Sequence, residues 1–366
     1  MFKLLVAAAL AVSGLCQYSP TGNTTNSTTT FTNPIVDGGA DPWMFRHDGY
    51  YYMTYTNNVN ITLWRSKSMV DWAGAESKTI FHPEPNQPYS TDLWAPEMHQ
   101  IGGSWWVIFT ADPNNDSPPP EVEMWCEYNC PAVNHRMFVV AGEGEDPWTA
   151  QYSYHSQLET YDQFAIDGTY FQHNDQLYHI YSCWYRKYDG WPANLCITKM
   201  SDPSTTISPF QERQIISVPE YAWEKTPFGR AGNDRLSSNE GPQQLLNPTT
   251  GQNFLIYSAA RSDNRNYCLG QLELVGDDPM NPSDWRKHPY PVFYQNPSES
   301  AYGVGHASFT TSPDDTENWI IYHGMQDPTN GWSARTIRAQ KFTWNEDGTP
   351  NFPKPGYGPY QVPSGQ

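Results

Sequence analysis

Three things are scarce in this chain of 366 residues: basic side chains, long apolar runs and cysteine. The 21 Lys and Arg residues face 39 Asp and Glu residues, and the net charge of −18 leaves no basic stripe to neutralise phosphates. The one long apolar run, residues 4–12, is too short to span a bilayer. We therefore expect no nucleic-acid partner, no membrane partner and a monomer in solution.

The N-terminus has the pattern of a secretory signal. Lys3 precedes the apolar run, and small residues lead to Cys16, so residues 1–16 are predicted to be removed and the protein to be secreted. Residues 17–32, almost wholly Ser, Thr, Asn and small residues, are predicted to be a disordered tail. Four glycosylation sequons agree with the secretory route: Asn23, Asn26, Asn60 and Asn115.

Removing Cys16 leaves an odd set of five cysteines in an oxidising compartment. We expect Cys126 to pair with Cys130 inside one loop and Cys183 to pair with Cys196 across neighbouring strands, although spacing alone leaves other pairings open. Cys268 would then be a buried free thiol.

The composition favours an all-β fold. Aromatic residues make up 15% of the chain, with 32 Pro and 26 Gly. Its apolar runs are short, rich in aromatic and β-branched residues and bounded by turn residues, which is typical of strands and not of helices.

A unit made of a polar residue, an apolar strand, a turn and an aromatic-rich second strand occurs five times. The leading polar residues are Asp41, Glu97, Asp167, Glu240 and His306. Their spacing suits four-stranded blades, and five stacked blades would cover one another's apolar faces. Residues 33–366 are therefore predicted to form one five-bladed β-propeller with the first strands lining a central channel. A β-sandwich, the alternative, does not explain a polar residue at the head of every unit.

Three of the leading residues are carboxylates, at Asp41, Asp167 and Glu240, and the predicted channel brings them together. Hydrolysis of a glycosidic bond uses one carboxyl group to protonate the leaving oxygen and another to activate water or attack. A third carboxylate nearby would raise the proton affinity of the acid. Each residue alone could be a turn cap, but the shared register favours chemistry.

Other catalytic signatures are missing from the sequence. It has no Gly-x-Ser-x-Gly elbow, no Cys/His pair at metal-binding spacing and no phosphate-binding loop. These absences argue against a serine hydrolase, a zinc enzyme and a nucleotide-dependent enzyme.

Six motifs in order resemble glycoside hydrolase family 43, and among its members the exo-acting α-L-arabinofuranosidases. The resemblance covers nearly all of residues 33–344. The motifs are Leu93-Trp94-Ala95-Pro96-Glu97, Asn134-His135-Arg136-Met137, Ala165-Ile166-Asp167-Gly168-Thr169, Asn239-Glu240-Gly241-Pro242, Tyr302-Gly303-Val304-Gly305-His306 and Arg335-Thr336-Ile337-Arg338-Ala339-Gln340.

The resemblance implies a five-bladed propeller and inversion at the anomeric carbon. By motif, Asp41 matches the general base, Glu240 the general acid and Asp167 the residue that tunes the pKa of the acid and orients it. An inverting pair should be roughly 6.5–9.5 Å apart. The chemistry requires no cofactor. His306 matches the family's central histidine, which would either bind substrate by hydrogen bonds or help hold a Ca²⁺ or other ion in the channel.

Two further residues are predicted to bind substrate. Trp94 would stack on the apolar side of a sugar ring, with core packing as the alternative. Arg335 would start a strand on the pocket face and bind a hydroxyl group or Asp167, while Arg338 points the other way. The insertion at residues 113–133 is expected on the pocket rim.

Together these observations predict a secreted exo-acting α-L-arabinofuranosidase that acts on arabinan or arabinoxylan of plant cell walls. A β-xylosidase or an endo-arabinanase of the same family is the alternative, because the catalytic residues are shared. A propeller lectin is disfavoured, since its blades would repeat one set of binding residues, whereas the five leading positions here hold Asp, Glu, Asp, Glu and His in dissimilar contexts.

Overall fold

The computed structural model describes residues 29–113, 131–185, 192–207, 213–225 and 237–366. The predicted signal peptide, the sequons at Asn23, Asn26 and Asn115, and the predicted pair Cys126–Cys130 lie outside these residues. Within them, no helix is long and apolar enough to cross a membrane. The helices in these ranges are short 3₁₀ turns: Pro131–Asn134, Ala222–Glu224, Pro282–Asp284, Pro297–Glu299 and Gly331–Ala334.

Strand β1 (Thr30–Phe31) comes first among the described residues, and five antiparallel sheets follow in succession. Blade 1 contains β2 (Ala40–His47), β3 (Tyr50–Thr56), β4 (Ile61–Ser66) and β5 (Glu76–Phe81). Blade 2 contains β6 (Thr91–Ile101), β7 (Ser104–Asp112), β8 (Arg136–Glu143) and β9 (Gln151–Gln157). Blade 3 contains β10 (Ala165–His173), β11 (Gln176–Cys183), β12 (Asn194–Asp202), β13 (Thr205–Thr206) and β14 (Gln214–Ser217), the last two both paired with β12.

Blade 4 contains β15 (Asn239–Leu246), β16 (Asn253–Ala259), β17 (Cys268–Leu274) and β18 (Trp285–Lys287). Blade 5 contains β19 (Tyr302–Thr311), β20 (Asn318–Met325), β21 (Arg335–Trp344) and β22 (Pro350–Asn351), and β23 (Tyr360–Gln361) follows. Each blade is one continuous stretch of chain. The predicted five-bladed propeller is confirmed.

Apolar residues from neighbouring blades form shared cores. Met44 and Tyr51 of blade 1 pack in one buried cluster with Trp319 and Ile321 of blade 5, and comparable clusters join the other neighbouring blades around the ring. A single blade has two faces that it cannot cover by itself, so burial of apolar area holds the blades together.

The ring is also joined where its two ends meet. Strand β1 pairs with β23, and the Phe31 ring lies 6.0 Å from that of Trp319 and 5.7 Å from that of Tyr360. The expectation of a disordered tail over residues 17–32 is therefore wrong for Thr30 and Phe31. An aromatic side chain with a place in the core gives this end enough apolar contact to become ordered.

The cysteine predictions that fall on described residues are confirmed. Cys183 on β11 forms a disulfide with Cys196 on β12, and Cys268 is a buried free thiol. Asn60, the described sequon, is partly exposed, and its Oδ1 accepts hydrogen bonds from Asn57 Nδ2 and Thr62 Oγ1. Its glycosylation stays a prediction.

Every inner strand contains a β-bulge at the same place. In blade 1, Asp41 and Pro42 together face the single residue Tyr55, because Ala40 pairs with Thr56 and Trp43 with Thr54. The first bulge residue of each blade has a positive φ; these residues are Asp41 (56°), Ala95 (43°), Asp167 (54°), Gly241 (53°) and His306 (45°). Such bulges bend a strand and re-aim its side chains, and they are common beside active sites.

The first bulge residue cannot donate its backbone N–H to the neighbouring strand of its own sheet. In four of the five blades this N–H donates instead to a side chain of the preceding blade. The N–H of Asp41 donates to Nδ1 of His323 over 3.1 Å, and the N–H of Asp167 donates to Oγ1 of Thr110 over 2.9 Å. Thr56 and Ser258 accept from Ala95 and His306 in the same way. At the fourth bulge, Ser182 Oγ donates to Asn239 O instead. These five side chains all lie near the end of a second strand and fix the bulges relative to one another.

Candidate active site

All six residues predicted for catalysis or substrate binding line one cavity of about 360 Å³ at the inner strands. They are Asp41, Trp94, Asp167, Glu240, His306 and Arg335. Small-molecule sites typically have volumes of roughly 300–1,000 Å³, so this cavity suits a small ligand such as one or two sugar units. A groove of about 410 Å³ between the outer strands of blades 4 and 5 contains none of the six.

Asp41 is surrounded by donors. Its Oδ2 accepts a hydrogen bond of 2.7 Å from Thr56 Oγ1, and its Oδ1 lies 3.3 Å from Arg335 Nη1 and 3.2 Å from His306 Nδ1. Burial alone would raise the pKa of Asp41, but the cations of His306 and Arg335 outweigh it and hold the pKa well below its usual range. Asp41 is therefore an ionised carboxylate at neutral pH.

His306 lies between two carboxylates. Its Nδ1 is 3.2 Å from Asp41 Oδ1 and 3.9 Å from Asp167 Oδ2. Burial lowers the pKa of the imidazole, but the charges of Asp41 and Asp167 have the larger, opposite effect, and the pKa is about 9. The ring is therefore a cation at neutral pH and bridges the two acids.

His323 also touches Asp41 but has a different role. Its Nδ1 is 3.1 Å from the N–H of Asp41 and 3.3 Å from Oδ1 of the same residue. Because burial lowers the pKa of His323 to about 4, the ring is neutral and Nδ1 accepts from the N–H. His323 positions the backbone of Asp41, and its ring stacks on Tyr267.

Asp167 and Glu240 have the opposite environment. Burial raises the pKa of Asp167 against the lowering effect of His306, and the charges of Glu240, Asp41 and Glu97 contribute, giving a pKa of about 8. Burial also raises the pKa of Glu240, partly offset by the hydrogen bond from Tyr267 and the charge of His306. With a pKa of about 8, Asp167 retains its proton at neutral pH, and the pKa of Glu240 also lies above its ordinary value.

Tyr267, at the end of the loop before β17, was not found by sequence reasoning. Its buried hydroxyl donates a 2.8 Å hydrogen bond to Oε1 of Glu240. This bond holds the carboxyl group of Glu240 in place and lowers its pKa. A tyrosine outside any leading strand has no sequence signal that distinguishes it among the chain's 24 tyrosines.

Glu97, the predicted leading residue of blade 2, does not line the cavity. Its carboxylate is buried and engaged by Thr169, His99 and Gln243. The position of the bulge explains the error. The first bulge residue, which is Asp41 in blade 1 and Asp167 in blade 3, is Ala95 in blade 2. In blade 4 it is Gly241, one residue after Glu240.

The other two predicted substrate-binding side chains, Trp94 and Arg335, have different partners. Trp94 stacks one face on His135 at 4.0 Å and donates from Nε1 to Asn58, so its remaining face is available to the cavity. Arg335 contacts Asp41, and the expectation that it binds Asp167 is not what the structure shows. Arg338 is fully buried and bonds to Thr336 and Tyr357, as the alternation along β21 predicted.

Comparison with known proteins identifies the family of this chain. The model of the glycosyl hydrolases family 43 matches residues 31–350. The chain belongs to this family. This family 43 enzyme is thus a glycoside hydrolase with a carbohydrate substrate, as the motif series predicted.

Similar proteins agree with the family assignment. The enzyme is 33% identical over 365 residues to an extracellular exo-α-(1→5)-L-arabinofuranosidase of Streptomyces avermitilis, covering 96% of this chain and 69% of the relative. It is 32% identical over 331 residues to the protein of the same name from Streptomyces chartreusis, with 88% and 91% covered. The crystal structure of an α-L-arabinofuranosidase from Lactobacillus brevis superposes with a TM-score of 0.77 at 32% identity, covering 90% of this chain and 98% of that one.

A metal-binding role for His306 stays a prediction. Its Nδ1 is committed to Asp41, and the ring would have to lose its proton before that atom could act as a ligand. Among the described residues, ligand atoms that lie within 4.8 Å of one another occur instead in Asp92, Asp112 and His135. That group lies behind Trp94, which stacks on His135.

Proposed function

We propose that the enzyme is secreted and releases terminal α-L-arabinofuranosyl units from arabinan or arabinoxylan of plant cell walls. The observation that carries the proposal is one cavity lined by an ionised carboxylate, Asp41, and by two carboxyl groups, Asp167 and Glu240, whose pKa values burial raises. Sugar hydrolysis with inversion needs one base and one acid at the same time. The relatives' names supply the sugar and the extracellular location.

In the proposed mechanism Asp41 is the general base. It accepts a proton from the attacking water while Thr56 and Arg335 hold its oxygens. Glu240 is the general acid and protonates the departing glycosidic oxygen, oriented by Tyr267. Asp167 lines the same cavity, and its charge state tunes the pKa of the acid. His306 supplies positive charge between Asp41 and Asp167, so the three acids can be buried together.

Arabinose is favoured over xylose by the comparisons. Relatives named arabinofuranosidases match at 30–33% identity over nearly the whole chain, whereas a putative β-xylosidase of Escherichia coli matches at 25% over 51% of it. Structures at 15–20% identity, which include a xylosidase and an arabinanase, share the fold alone.

Product analysis tests the proposal. The purified enzyme is incubated with linear arabinan, arabinoxylan and xylo-oligosaccharides, and the first sugar released is identified. We expect arabinose alone from the earliest time point, with inverted anomeric configuration by proton NMR. Arabino-oligosaccharides as first products would support endo action instead, and xylose would support a xylosidase. Recovery from a culture medium of a protein that starts at Gln17 tests secretion.

A further inference from the structure

The rim of the cavity beside Glu240 is formed by loop residues. Glu240 pairs with Ser258 on β16, and three residues beyond Ser258 the chain emerges as the loop segment Arg261–Asp263. Arg261, Ser262 and Asp263 all line the cavity. Because the general acid protonates the departing oxygen, the wall next to Glu240 is the one that a leaving group meets.

Trp332 completes this wall. It lies in the 3₁₀ turn Gly331–Ala334, lines the cavity and is 53% exposed, although it is a large aromatic side chain. The indole is held in place: Nε1 donates a 3.0 Å hydrogen bond to Ser262 Oγ, and the Arg261 guanidinium lies 6.0 Å from the ring centre. A fixed aromatic face open to the cavity costs little entropy to use as a binding surface.

The rim carries a charged pair as well. Arg261 and Asp263 form two hydrogen bonds, of 2.8 and 2.5 Å, and both side chains remain partly exposed. A sugar hydroxyl can accept from the guanidinium and donate to the carboxylate at once. Arg335 ties the rim to the catalytic centre, since its Nε donates to the carbonyl of Trp332 and its Nη1 to Asp41.

We propose that Trp332, Arg261 and Asp263 form the subsite for the leaving-group sugar, with its C–H face on the indole and its hydroxyls on the ion pair. Trp94 and Asn58, which line the cavity and bond to each other, then contact the terminal sugar that is released. This assignment rests on the proposed function and adds to it which wall selects the remainder of the chain.

Two substrates with the same terminal sugar distinguish residues that bind the leaving-group sugar from residues that bind the terminal sugar. α-L-Arabinofuranosyl fluoride has no leaving-group sugar, whereas α-(1→5)-L-arabinotriose has two sugar units beyond the scissile bond. We expect Trp332→Ala to lower kcat/KM for the triose by about 10- to 100-fold and to leave that for the fluoride within about threefold. Asp263→Asn is expected to act in the same direction with a smaller effect.

Tyr294→Ala is the matched control, since Tyr294 is also 53% exposed and lies outside the cavity. It should change neither substrate, and Trp332→Phe should recover most of the triose activity. Thermal unfolding confirms that each variant is folded, and Trp332→Gln replaces the alanine variant if that one is not.

The outcomes are distinct. Equal losses on fluoride and triose would assign Trp332 to the terminal sugar, and an unchanged triose rate would show that the rim does not touch substrate; either result overturns the subsite. Wild-type enzyme that cleaves neither arabinoside contradicts the proposed function, and the same comparison is then made with xylosyl fluoride and xylobiose. A protein inactive on all four sugars refutes both.

Discussion

Asp41 and the pair Asp167 and Glu240 are buried in one cavity, yet their protons behave in opposite ways. Around Asp41 there are a guanidinium, a protonated imidazole and a hydroxyl, and the pKa is lowered. Asp167 shares only the imidazole of His306 and also feels the charges of Glu240, Asp41 and Glu97, and its pKa is raised to about 8, with burial as the main cause. Burial acts in the same direction on both, so the placement of cations decides which acid is the base.

The largest expected effect comes from removing the base. Asp41→Asn keeps the shape of the side chain, and asparagine tolerates the positive φ of this bulge. We expect kcat/KM to fall by roughly 10³- to 10⁴-fold on arabinotriose and on arabinofuranosyl fluoride alike, because both substrates need an activated water. Steady-state kinetics on the two substrates checks this. A loss below tenfold on either would remove Asp41 from the mechanism.

Removing the acid should discriminate between the substrates. Glu240→Gln is expected to lower kcat/KM on arabinotriose by roughly 10²- to 10⁴-fold, because a sugar oxygen leaves poorly without a proton. Fluoride needs no such proton, so its hydrolysis should lose less than about tenfold. A uniform loss on both substrates would contradict the assignment of Glu240 as the acid.

Arg335 should shift the acidic limb of the pH profile. Its charge lowers the pKa of Asp41, so Arg335→Met raises that pKa. Since Asp41 acts ionised, activity should then be lost at a higher pH on acidification, and kcat/KM at the optimum should fall by about tenfold. Arg46→Met, which breaks a surface pair with Asp315, is the control. An acidic limb that does not move would mean that Arg335 only shapes the cavity.

The smallest effect is expected at Tyr267. Its hydroxyl stabilises the carboxylate form of Glu240, so Tyr267→Phe raises the pKa of Glu240. Because the acid acts protonated, the alkaline limb should move to higher pH, by about one unit, with a modest loss at the optimum. Tyr257→Phe removes a comparable buried bond, to Glu224, away from the cavity and should leave the limb in place. A shift to lower pH in Tyr267→Phe would reverse the proposed role.

The repeat itself could be predicted from the sequence, but its register could not. Polar residues at the heads of aromatic hairpins located five units, and six site residues were found to share one cavity. The first bulge residue was assigned wrongly in blades 2 and 4, to Glu97 and Glu240 instead of Ala95 and Gly241. A bulge adds one residue without changing the composition of a strand, so alternation cannot locate it.

One sequence signal for the register was available. Each second strand carries an aromatic residue opposite the bulge, followed by the Thr, Ser or His that hydrogen-bonds to the next blade; these pairs are Tyr55-Thr56, Phe109-Thr110, Tyr181-Ser182, Tyr257-Ser258 and Tyr322-His323. Tyr267 and Trp332 had no such pattern, because loop residues reach the cavity through tertiary contacts that no local period records.

The five bulges share one backbone conformation but carry four different residue types, at Asp41, Ala95, Asp167, Gly241 and His306. Ala95 shows that the bend does not depend on a functional group. New reactivity could therefore be engineered at the centre of this ring by exchanging a single residue, such as Ala95→Asp, without redesigning the strand that carries it. Aspartate already occupies this conformation in two other blades, so the exchange would require no change in backbone conformation.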